Sequence, residues 1–111
     1  MTERIEARAF RGTRKKSVYR GHILEVDDLN RIAAAGRRAG FDLVASLATA
    51  PSEVGKEDAR RLAVELSELR VGAELLDLDD DLTALAALAR FCARTRGGAW
   101  LTLVAASGFD R

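Results

Sequence analysis

Two short apolar runs in the C-terminal third of the chain limit how its backbone can be arranged. Leu75, Leu76 and Leu78 form the first, which stops at Asp79-Asp80-Asp81; Trp100-Leu101-Thr102-Leu103-Val104 forms the second, after Gly97-Gly98. A long apolar-faced segment separates them. Two such runs joined by a crossover of helix length predict neighbouring parallel strands, because parallel pairing needs a crossover and a hairpin does not.

The remaining elements follow from periodicity. Residues 3–10 alternate, with Ile5, Ala7 and Ala9 on one side and Arg4, Glu6 and Arg8 on the other, which argues a half-exposed strand. Gly12 to Lys16 is a polar break, and Ser17–Val26 reads as a second strand closing an antiparallel hairpin. Asp27 or Asp28 can cap a helix carrying Leu29, Ile32, Ala33 and Gly36, with Gly40 ending it. Phe41–Ala48 is apolar on both faces except for Asp42 and Ser46, as expected of a buried strand, and Pro51 marks the loop after it. A second helix is predicted over Lys56–Leu69, a strand over Val71–Leu78, a third helix from Asp80 or Asp81 to Thr95, and a last strand over Ala99–Ala105. The expectation is one α/β domain over residues 1–111, ordered β-β-α-β-α-β-α-β. Right-handed crossovers would make its five-stranded sheet mostly parallel, with an antiparallel N-terminal edge hairpin.

Apolar residues make up 48% and charged residues 32% of the 111 positions, the balance of a chain with enough apolar surface to fold. The single cysteine, Cys92, excludes an internal disulfide and sits in an apolar helical stretch, as a small buried hydrophobe does. No run reaches the ~18 apolar residues of a membrane span. The opening MTERIEARAF is not a signal peptide, and a cytoplasmic setting is expected. Charge is unevenly placed: residues 1–22 hold seven Arg and Lys against two Glu, so +5 there leaves −4 for the rest of a chain whose net charge is +1. Such a bipolar chain can bind anionic partners at one end and basic ones at the other, or pair head to tail, and strand one, if exposed, could instead pair across a homodimer.

Three constellations carry candidate chemistry. Arg11, Arg14, Lys15, Lys16 and Arg20 cluster at the hairpin 8–20 with Phe10 and Tyr19 nearby, a tip suited to phosphate contact and base stacking, hence to nucleic acid. Asp77 and Asp79 would share a face at the carboxyl end of the predicted strand, where a hard cation could bind and support a small metal-dependent enzyme. The loop from Ala50 to Glu57 has the outline of a phosphate-binding loop. It lacks the first glycine, however, and carries Glu57 where a hydroxyl should coordinate magnesium. His22, the sole histidine, has no Ser or Cys spaced to form a recognisable nucleophile pair, and no Cys/His cluster has metal-ligand spacing. No cofactor is implied, and the residues lean away from catalysis.

The element order, with Glu25-Val26-Asp27-Asp28-Leu29 leading into the first helix and Arg96 to Val104 after the third, resembles the STAS domain (sulfate transporter and anti-sigma factor antagonist). In that family a D-S-[ST]-G turn presents a phosphorylatable hydroxyl at a helix N-terminus. Its counterpart here is Ser52-Glu53-Val54-Gly55, which keeps the glycine but not the hydroxyl, and Glu53 already carries a negative charge. The resemblance implies a non-catalytic module that docks a protein through the loop 49–57 and the second helix, with Ser52, Glu53, Gly55 and Lys56 as partner-binding residues. Protein–protein contact, as regulator, adaptor or subunit, is therefore the first expectation. Nucleic-acid binding by the hairpin is the alternative, and metal-dependent catalysis the third.

Overall fold

The alternation that begins at Arg4 produces the expected strand. The computed structural model describes residues 3–11, 16–48, 52–72, 74–95 and 99–105. Strand β1 (Arg4–Arg11) pairs antiparallel with β2 (Lys16–Glu25), in a register running from Arg4↔Glu25 to Arg11↔Lys16. Ala7 and Ala9 are fully buried, whereas Arg4, on the other alternate set, is exposed. Two register shifts flank Ala9. Nearby, Gly21 lies so close to Glu6 that a Cβ would stand 2.5 Å from the Glu6 carboxylate, which leaves room for that side chain against β2.

The last strand, β4 (Ala99–Ala105), pairs antiparallel with the other side of β1, from Ile5↔Ala105 to Arg11↔Ala99. A short strand, β3 (Ser52–Val54), pairs antiparallel with β4, so the sheet order is β2-β1-β4-β3. This corrects the expected five-stranded, mostly parallel sheet. Among the described residues there are four strands, every pairing is antiparallel, and β1 is interior while β2 and β3 form the edges. Chains that leave and return on the same side of a sheet need no right-handed parallel crossover, and the premise behind the parallel expectation does not apply.

Helix α1 (Val26–Ala39) opens with Asp27 and Asp28 in its first turn and ends with Arg37 and Arg38 in its last, each charge meeting the favourable end of the dipole. Gly40 closes it with φ 81°: the Gly40 N–H donates to the Arg37 carbonyl (3.2 Å), and the Phe41 N–H to the Gly36 carbonyl (2.7 Å). That closure leaves one residue before helix α2 (Asp42–Ser46), in the region expected to be a buried strand. Phe41, Val44 and Leu47 recur every third residue and serve a helix as well as a strand. Glu65 decides the matter locally by accepting the free Val44 N–H near the start of α2 at 3.0 Å.

Helix α3 (Lys56–Val71) turns through a 3-10 segment (Leu76–Leu78) into helix α4 (Asp79–Arg94). The strand expected over Val71–Leu78 is thus a connection within a helical hairpin. Leu75 and Leu78 are buried and joined by a Leu78 N–H to Leu75 carbonyl bond of 2.9 Å, while Leu76 is exposed. Burial at i and i+3 with exposure between suits 3-10 geometry. Leu85, Leu88, Ala89 and Cys92 of α4 share one core with Ala7, Ala9, Leu24, Leu101 and Leu103 of the sheet. The molecule measures 38 × 34 × 21 Å, about two layers thick. Among the described residues no helix is long and apolar enough to cross a membrane.

Candidate functional site

Helices α3 and α4 bury facing stripes against each other and leave a groove along their outer side. Ala59, Leu62, Ala63 and Leu66 of α3 point inward. The stripe beside them, Arg60, Val64, Ser67, Glu68 and Val71, lines the groove together with Arg90, Ala93 and Arg94 of α4. The groove encloses about 470 Å³. Val64 is 58% and Val71 86% exposed, so two branched apolar side chains stand in water beside the small side chains of Ala63 and Ala93. The Arg90 guanidinium donates to the Ser67 hydroxyl at 3.2 Å and ties the two walls together. Three arginines and one glutamate give the rim a positive bias, and the floor is apolar. This is the composition of a contact surface: apolar area with charges set around it.

The acidic connection behind the groove is laced to neighbouring arginines. Arg31 of α1 donates two hydrogen bonds to Asp77 (2.7 and 3.1 Å), and Arg70 donates two to Asp79 (2.9 and 3.4 Å). Arg38, seven residues beyond Arg31, pairs with Glu74. Arg31 and Arg70 hold their carboxyls below the usual range, Asp77 through the Arg31 hydrogen bond and Asp79 through that of Arg70. The pair proposed for a cation therefore lies at a 3-10 turn and helix start rather than at a strand end, with each carboxylate in an arginine fork. Among the described residues no group of three or more His, Cys, Asp or Glu is arranged to hold a metal.

His22 has a partner that sequence spacing does not reveal. Its Nε2 lies 2.6 Å from Asp81 Oδ1, linking β2 to the first turn of α4 across 59 residues. The contact ties the β2 edge of the sheet to the start of α4. Asp81 also lines a second cleft, of about 490 Å³, with Arg4, Glu25 and Asp28. Cys92 is fully buried, and burial pushes its thiol up to about 11, which suppresses the thiolate.

The expected partner-binding residues form a strand and a helix start. Ser52 and Glu53 lie in β3, opposite Leu103 and Thr102; Gly55 precedes α3, accepting the Ala59 N–H at 2.7 Å, and Lys56 is the first, exposed residue of that helix. Of the basic hairpin residues, Arg14 and Lys15 lie outside the described residues, while Arg11 belongs to the backbone of β1 and Lys16 and Arg20 to that of β2. The groove needed two signals to find: an exposed valine on the polar side of α3, legible at Val64, and the packing of α4 against α3, which is tertiary. Comparison of the chain with protein-family models, with curated proteins and with solved structures finds no match in any of the three.

Proposed function

We propose that this chain is a non-catalytic docking module that receives a protein helix in the groove between α3 and α4. The observation that carries the reading is Val64 and Val71, largely exposed on one stripe of α3 and bordered by arginines rather than by a second apolar layer. A helix laid there would remove both valines from water, at about 25 cal/mol for each Å² of apolar area covered. This keeps the docking role implied by the STAS resemblance, and its second helix, which is α3, but replaces the loop 49–57 with the groove that α3 forms with α4.

The test is site-specific photo-cross-linking. A photoreactive side chain at position 64 should form a discrete protein adduct, and the same group at position 23, exposed on β2, should not. Equal labelling from both positions, or none from position 64, overturns the reading.

A further inference from the structure

Arg60, Val64 and Glu68 are spaced four residues apart on α3, so they follow one another along a single helix face. The order is basic, apolar, acidic. Laid antiparallel against a copy of itself and centred on Val64, this face sets each Arg60 opposite Glu68 of the second copy. We propose that the occupant of the groove is a second copy of this chain, paired through α3 about a two-fold axis at Val64. The proposal rests on the docking reading above and names its partner.

Three observations converge on self-pairing. A two-fold interface must be self-complementary, so that residue i meets j and j meets i, and the Arg60–Val64–Glu68 stripe meets that condition. Among the described residues neither Arg60 nor Glu68 has an ion-pair partner, in contrast to the arginines and carboxylates laced around the connection. The residue at the axis is also the exposed apolar one, Val64 at 58%. Glu68 separates this occupant from the obvious competitor. A uniformly acidic helix would gain from Arg60, Arg90 and Arg94 but would meet Glu68 on the rim, whereas an antiparallel copy brings an arginine to it. A parallel copy would place like charges side by side.

Sedimentation equilibrium of the full chain tests this at low salt, up to about 1 mM because a single helix-to-helix contact lies at the small end of specific interfaces. The wild type should show a monomer–dimer equilibrium that weakens as salt rises. Arg60→Glu and Glu68→Arg should each weaken it about tenfold, since each turns two attractive pairs into repulsive ones. An equimolar mixture of the two variants should regain the wild-type dimer, because positions 60 and 68 then carry opposite charges across the axis at both ends. Arg61→Glu, exposed but one position off the stripe, should leave the equilibrium unchanged. All three positions are exposed, and circular dichroism of each variant should match the wild type.

A wild type that stays monomeric throughout, variants that shift in opposite directions, or a mixture that fails to recover overturns the self-pairing. If a monomeric wild type still forms a position-64 adduct with a different protein, the docking reading survives and its partner is another chain. If position 64 yields no adduct of any kind, both fall together.

Discussion

The α1–α2 corner and the outer side of the α3–α4 hairpin are both places where two helices meet, and they are finished differently. At the corner, Gly36 brings the backbone of α1 so near α2 that an added Cβ would stand 2.5 Å from Val44 Cγ1 and 2.7 Å from its Cβ. Val44 is fully buried, and the Val44 N–H is satisfied by Glu65. On the outer side of the hairpin the valines stay in water, and two of the charges beside them find no partner within the described residues. The corner is packed until nothing more fits. The groove stops short of that, with Val64 and Val71 still in water.

Gly36→Val should break the corner most severely. The new side chain must displace Val44, and a loss of about 3 kcal/mol or more is expected in urea unfolding. Gly36→Ala should cost less, and adding Val44→Ala to it should recover part of the loss by vacating the contested space, a coupling that a double-mutant cycle can read. Glu65→Leu should come next, at about 1–3 kcal/mol, because it leaves the Val44 amide near the start of α2 without its acceptor. If Glu65→Leu proves neutral, water satisfies that amide and the corner is less closed than its geometry suggests.

Asp77→Asn should have a smaller effect and a characteristic pH dependence. Arg31 lowers the folded-state pKa of Asp77, so the folded protein keeps this carboxylate charged to lower pH than the unfolded chain does. Its contribution is fully present above the ordinary carboxylate range and is lost as pH falls through the lowered value. Wild type and variant should therefore differ at neutral pH and converge in acid; a constant gap across the range would assign the effect to something other than the ion pair. At the bottom of the scale, Val64→Asp should leave stability unchanged within about 0.5 kcal/mol, since Val64 is exposed, while abolishing the position-specific contacts of the groove. A large loss of stability in Val64→Asp would erase the contrast between the two regions.

Periodic segments and the run at 99–105 were legible in the sequence, and the short apolar stretches 41–48 and 71–78 were not. The β1–β2 hairpin, α1, α3, α4 and β4 follow from alternation at Ile5–Ala9, from Leu29 and Ile32, from Leu62 and Leu66, and from the run at 99–105. Phe41–Ala48 and Val71–Leu78 are too short for a period to choose between strand and helix, and in each case a tertiary contact chose. Glu65 reaches Val44 from 21 residues away, and Arg31 reaches Asp77 from 46. With those two strands gone, and β3 present at 52–54 where the sequence reads as loop, every strand pairing among the described residues is antiparallel. For the site, the importance of α3 was readable, but the groove exists only because α4 lies beside it. The same holds for His22 and Asp81.

The central position of β4 also has a consequence for the order of events during synthesis. Its partners on β1 lie between 88 and 100 residues upstream, from Arg11↔Ala99 to Ile5↔Ala105. At ribosomal speeds of ~5–20 residues per second, β1 waits roughly 5–20 s after it is made before its second neighbour exists. For that interval the hairpin has an open inner edge and an uncovered apolar face at Ala7 and Ala9. Helix α4 is complete at Arg94, 5 residues before β4 begins, and at the end of that interval the α3–α4 hairpin, built from local contacts, can form in microseconds to milliseconds, before β4 is finished. At that point the nascent chain is a folded helical pair tethered to an incomplete sheet, and a factor that shields exposed strand edges at the tunnel exit would act during the whole interval.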